Sequence, residues 1–218
     1  MKKVKKVALL LVCVLVVGVL GGCGNKFDAK AYLQAMLDLS YKNDTAAFMD
    51  LKIGTAEEAA QVYESGIDAA MTNLLTGVTV SDELKAEFRQ VVQDMYGNVK
   101  YTVDSAEKQD DAWVVTVTYE KMMIFDATVT NYETAVTDLY TEWSSVTDET
   151  QIPSEEEMTD ALLTALKDCM KDSIANAEYA EPDTTTIRIE LVDNVWTPNS
   201  QDIENLEMLL FDTENANF

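Results

Sequence analysis

The chain has 218 residues, with 39 Asp and Glu against 16 Lys and Arg, a formal net charge of −23, three cysteines and no histidine. A carboxylate surplus of this size excludes nucleic-acid binding by phosphate neutralisation, and the missing imidazole excludes a Ser-His-Asp triad, a Cys-His pair and any zinc site that uses histidine. A chain of this length buries about 70% of its unfolded surface, so it needs neither disulfides nor metal to stay folded.

Lys2, Lys3, Lys5 and Lys6 form a positive start, and Val7 to Leu20 is almost wholly aliphatic, the pattern of a secretory signal. The run is too short for a membrane span, which needs about 20 apolar residues. Gly21-Gly22 before Cys23 resembles a bacterial lipobox. That resemblance implies cleavage just before Cys23 and diacylation of its thiol with chains such as palmitate; the alternative is an ordinary cleaved signal with an incidental cysteine. Gly24 in place of Asp argues, by analogy with lipoproteins generally, against retention at an inner membrane.

Residues 1–22 are then the signal, residues 23–26 the lipidated anchor and tether, and residues 27–218 one acidic domain. All 39 acids lie beyond residue 22 and four of the 16 bases lie before it, so 12 bases remain against 39 acids and the net charge becomes −27. Such a domain is repelled by anionic head groups. With Cys13 removed and Cys23 acylated, Cys169 is the remaining thiol and no intrachain disulfide is possible. An extracytoplasmic chain without disulfides points to a Gram-positive surface.

Along the mature chain, Tyr32, Leu33, Met36, Leu37 and Leu39 predict a helix over Asp28 to Tyr41. Asn43-Asp44 breaks it, and Asp44 caps a short segment through Phe48 that Gly54 stops. Thr55-Ala56-Glu57-Glu58 is a capping box, in which hydroxyl and carboxylate satisfy each other's free backbone N–H groups. It opens a helix with Val62, Tyr63, Ile67, Met71, Leu74 and Leu75 inward, ended by Gly77. Ser81 caps a further helix with Leu84, Phe88, Val91, Val92 and Met95 as its core face and Gly97 as its stop.

After Gly97 the period falls to two. Val99, Tyr101 and Val103, then Trp113, Val115, Val117 and Tyr119, predict an antiparallel hairpin turning near Gln109 to Asp111. Helical spacing returns through Val129, Tyr132, Val136, Leu139, Tyr140 and Trp143, although the many threonines favour strand. Ser154-Glu155-Glu156-Glu157 is a second capping box, leading Met158, Leu162, Leu166, Cys169 and Ile174 along one face. Ile187, Ile189 and Leu191 form a third strand, and Asn199 or Ser200 caps a final helix with Ile203, Leu206, Leu209 and Leu210. The fold class is therefore α+β: N-terminal helices, a hairpin, two further helices, a third strand and a C-terminal helix around one twisted antiparallel sheet.

The short anchor, the helix from Phe27 to Tyr41, the Lys42-Asn43-Asp44 break, the long helix after Thr55, the hairpin through Ala112-Trp113 and Val195-Trp196 before the last helix are similar to small Gram-positive lipoproteins. Those carry an uncharacterised domain related to cystatin-like, cone-shaped α+β folds. The resemblance implies no settled activity, and it transfers one site residue, Cys23 as the lipid attachment.

Chemistry is sparse. Cys169 sits on an apolar stripe with no base beside it, which fits a buried small hydrophobe better than a nucleophile. Asp110-Asp111, Glu155-Glu156-Glu157 and Asp193-Asn194 lack the alternating spacing of a calcium loop. Trp113 and Tyr119, with Tyr132, Tyr140 and Trp143, are either plain core or the lining of an apolar pocket for a peptide, lipid or glycan. No catalytic, cofactor-binding or metal residue is identified. The expectation is a non-catalytic, membrane-tethered surface domain that binds an envelope protein, peptide or glycan; a histidine-free carboxylate hydrolase acting on wall polymers, or a structural accessory subunit, are the alternatives.

Overall fold

A computed structural model describes residues 27–215; the lipobox, Cys23 included, lies outside the described residues. Helix α1 spans Ala29–Lys42. The Asp28 carboxylate accepts the Ala31 N–H at 3.0 Å, and Asn43 ends the helix in the left-handed region at φ 53°. Nine of its 14 residues are buried, Leu33 and Leu39 completely. Each such leucine stabilises the fold by about 1.5–3 kcal/mol.

Asp44 accepts the Ala46 N–H ahead of the short α2, Ala46–Asp50, which lodges Phe48 in the core. Gly54 is required there, because a Cβ at that position would meet the Phe48 ring at 2.9 Å. The Thr55–Glu58 capping box opens α3, Ala56–Leu74, and Ser81 opens α4, Asp82–Gly97. Gly97 is the last helical residue rather than the stop; Asn98 closes α4 by donating its side-chain amide to the Asp94 carbonyl at 2.8 Å.

Strands β1, Lys100–Gln109, and β2, Ala112–Glu120, form the predicted hairpin, with Asp110 at φ 51° in its two-residue turn. A bulge between Val103 and Ser105 leaves Asp104 unpaired in the ladder, and its carboxylate accepts the Thr118 hydroxyl at 2.6 Å. Next come β3, Met122–Met123, then α5, Phe125–Ser145, and α6, Glu155–Ala175, opened by the Ser154–Glu157 capping box. After β4, Glu178–Tyr179, the chain forms β5, Asp183–Val192, β6, Val195–Pro198, and α7, Ser200–Leu210, whose cap is Asn199.

Three strands, β3, β4 and β6, exceed the three expected. The main sheet has four strands in the order β1-β2-β5-β6, all antiparallel, and β3 pairs with β4 in a separate two-stranded ribbon. β6 follows a turn in which Asp193 and Asn194 both take positive φ, the backbone of a type I′ hairpin. Its four residues end in a proline, which is tolerated because β6 lies at the edge of the sheet.

One face of the sheet buries Val103, Val115, Val117, Tyr119, Ile187 and Ile189 against α1 and α7, as the alternation predicts. The other face shows Thr102, Thr116, Thr118, Thr184 and Thr186. α5 and α6 pack along one another, and α6 joins the body through α4, where Lys167 bridges to Glu87 at 2.6 Å. Phe125 and Thr128 are buried at the start of α5, and Leu166, Met170, Ser173 and Ile174 at the end of α6. From residue 129 to residue 165 no described side chain is fully buried.

Candidate functional site

The aromatic residues that the sequence suggests as one pocket lie in three places. Phe27 stacks on Trp196 at 4.9 Å and 10°, and meets Trp113 edge-on at 6.3 Å. The Tyr32 hydroxyl donates to the Trp196 carbonyl at 2.8 Å, and burial pushes its pKa up to about 12. The Trp113 indole Nε1 is buried without a hydrogen-bond partner among the described residues. Trp196 thus ties the entering chain to the edge strand β6.

The second place is the far end of the sheet. A cleft of about 280 Å³ is lined by Lys42, Val99, Lys100, Tyr101, Thr102, Thr118, Tyr119 and Glu120. Tyr101 donates to Asp38 at 2.7 Å, Gln34 donates to the other Asp38 oxygen at 2.8 Å, and the Lys42 ammonium lies 4.5 Å from the Tyr101 ring centre. Burial, then the Asp38 hydrogen bond and charge, push the Tyr101 hydroxyl above the ordinary tyrosine range. It stays protonated and serves as a donor. Lys100 sits 3.5 Å over the Tyr179 ring and pairs with Glu120 at 3.4 Å. Both lysines at this cleft are held by carboxylates and rings.

The third place is α5. Tyr132 is half-buried against the core, with its hydroxyl pushed up by burial and then by the neighbouring Tyr140 and Cys169. Tyr140 lies edge-to-face on Trp143 at 5.2 Å and is 54% exposed. A shallow groove of about 560 Å³ runs beside it, lined by Val136, Thr137, Tyr140, Thr141, Ser144 and Ser145.

Cys169 is half-buried on α6, and burial, then Asp168 and Asp172, push its thiol up. That direction opposes thiolate formation. Asp110-Asp111 forms the β1–β2 turn, Glu155 to Glu157 the first turn of α6, and Asp193-Asn194 the β5–β6 turn. Among the described residues no group of three or more Cys, Asp or Glu side chains is placed to hold a metal ion.

Three acids missed by sequence reasoning prove to be structural locks. Asp212, buried near the C-terminus, accepts the N–H groups of Ile124, Phe125 and Asp126 at 3.0, 2.9 and 3.1 Å. It therefore caps α5, whose own cap residue Ile124 has no acceptor side chain. Glu207, also buried, accepts the Tyr96 hydroxyl at 2.6 Å. Asp202 takes a two-pronged bond from the Arg188 guanidinium at 2.8 and 3.0 Å. Burial alone would raise the Asp202 carboxyl, but the Arg188 hydrogen bonds and charge outweigh it and hold it below the usual range.

No family model matches the chain, and neither does any curated protein. Among solved structures, a Bacillus subtilis protein (ycdA), provisionally assigned as a lipoprotein, superposes with a TM-score of 0.61 at 17% identity, over 84% of this chain and 56% of that one. The chain thus spans little more than half that protein's length, and at this identity what the likeness shows is a shared fold.

Proposed function

We propose that the protein is an extracytoplasmic lipoprotein, tethered at Cys23 to the outer face of a Gram-positive membrane, whose acidic domain binds an envelope partner without turning it over. The observation that carries this reading is the lysine-led apolar run ending in Gly21-Gly22-Cys23, followed four residues later by Phe27 packed into the body. Four residues reach at most about 14 Å. The Phe27, Trp113 and Trp196 end of the sheet then faces the membrane, and α5 starts at the opposite end, roughly 25 Å away along β2.

The fold shared with a provisionally assigned lipoprotein supports the reading, and α1 packed on a four-stranded antiparallel sheet is compatible with the cone-shaped α+β domain that the sequence resemblance implies. Among the described residues no helix is long and apolar enough to cross a membrane. A carboxylate hydrolase on wall polymers draws less support, because the sequestered acids Asp38, Asp202, Glu207 and Asp212 are each engaged in hydrogen bonds that hold the fold.

The test is metabolic labelling with palmitate in a Gram-positive host. The native chain should incorporate label and partition into detergent, while Cys23→Ser should do neither. Absence of label from the native chain overturns the anchor. On intact cells, cross-linking should capture a discrete envelope neighbour; hydrolysis of wall glycan or peptide that depends on one carboxylate overturns the non-catalytic reading.

A further inference from the structure

We propose that the groove on the flank of α5 docks a cationic, amphipathic helical segment of a partner protein. This rests on the partner-binding reading above and names the surface used and the partner's chemistry.

The helical hairpin carries apolar surface that the fold does not cover. No described side chain between residues 129 and 165 is fully buried, whereas nine of the 14 residues of α1 are. Val136 and Tyr140 form the apolar wall of the groove, and the edge-to-face contact with Trp143 positions the half-exposed Tyr140 ring before any partner arrives. The lining residues fall at 136/137, 140/141 and 144/145, on successive turns, so the groove extends along the helix axis for about 12 Å. A second helix laid alongside, with apolar residues three and four apart, has the matching periodicity.

The hydroxyls along this flank are already bonded. Thr137, Thr141 and Ser144 donate to the carbonyls of Glu133, Thr137 and Tyr140 at 2.8, 2.8 and 2.6 Å. Covering these side chains therefore strands no hydroxyl proton.

Charge selects the occupant. Between Lys121 and Lys167 the chain has ten acids and no base. A second copy would bring the same ten carboxylates against the first, and anionic head groups are repelled in the same way. A segment with one apolar row and flanking Lys and Arg satisfies both features: the row fills the groove and the cations extend over its rim toward Glu133, Asp138 and Glu142.

The experiment is an anisotropy titration of the mature chain, with Cys23→Ser to remove the lipid, against a labelled 14-residue peptide of Leu and Lys patterned as an amphipathic helix. The reference is a peptide of the same composition with its leucines scattered around the helix. In moderate salt the patterned peptide should bind at least tenfold more tightly. Val136→Ser with Tyr140→Ser, which changes no charge, should weaken it at least tenfold and leave the scattered peptide unchanged. Leu191→Ser, at the exposed end of β5, should alter neither.

Equal affinity for the two peptides, or unchanged affinity in the double variant, overturns the proposal. So does concentration-dependent self-association that the double variant abolishes, since that seats a second copy in the groove. If circular dichroism shows lost helicity in the double variant, Tyr140→Ser alone decides. Failure here leaves palmitate labelling and cell-surface cross-linking untouched, so the anchored-binding reading stands or falls separately.

Discussion

α1 and α5 begin from similar sequence patterns and end in different environments. Both have an apolar stripe at helical spacing and both fold as predicted, yet α1 buries nine of 14 residues beneath the sheet and α4, while α5 buries Phe125 and Thr128 of its 21. Val129, Tyr132, Val136, Leu139 and Trp143 stay half-exposed, because among the described residues α5 packs chiefly on α6 and no further layer covers the pair. An apolar stripe specifies that a helix has an inner face. How deep that face lies depends on how many other elements reach it.

The contrast can be broken most directly by truncation. Phe88, fully buried on α4, should lose about 3–5 kcal/mol as Phe88→Ala, whereas Leu139→Ala on the hairpin should lose about 1 kcal/mol. Urea denaturation monitored by tryptophan fluorescence measures both, and comparable losses would mean that the hairpin is as well packed as the body.

Asp212→Ala comes next, at about 2 kcal/mol, because it leaves three N–H groups at the start of α5 without their acceptor. Its signature sharpens the comparison. Amide exchange should accelerate through α5 and α6 while α1 amides keep their protection; uniform acceleration would show that hairpin and body open as one unit.

The smallest effect concerns acid. Glu58 in the body and Glu157 on the hairpin are both held below the usual glutamate range, first by the backbone N–H and then by the hydroxyl of their capping boxes. A carboxyl whose folded pKa is depressed contributes stability above the unfolded value of about 4.3, and that contribution disappears as pH falls through the lower folded value. Glu157→Gln should therefore flatten the loss of α6 protection between neutral pH and about pH 3, leaving α3 unchanged, as read by amide exchange at several pH values.

Much of this architecture was legible in the residues. Both capping boxes, the Ser81 and Asn199 caps and the alternation in β2 act within a few residues, so spacing along the chain reveals them. β3 and β4 were not legible, since two residues each establish no period, and β6 was hidden by its Trp-Thr-Pro composition. Nor was the separation of the aromatics. Trp113, Tyr119 and Tyr140 share the right residue type, but Trp113 contacts Phe27, Tyr119 lines a different cleft, and Tyr140 stands on the hairpin. The groove itself could not be anticipated, because exposure is a property of what fails to pack.

The sequence by itself determined the acidic balance, the helix caps and the inward faces, and it alone carries the signal-like start and the lipobox resemblance at Cys23, because each is written in local spacing and side-chain chemistry. Only the tertiary structure decided that Asp212 caps a helix 86 residues earlier, that Phe27 stacks on Trp196, and that the second helical pair lacks a covering layer among the described residues. Those depend on chain closure over long separations, where the entropy of bringing segments together is offset only by the packing they find on arrival.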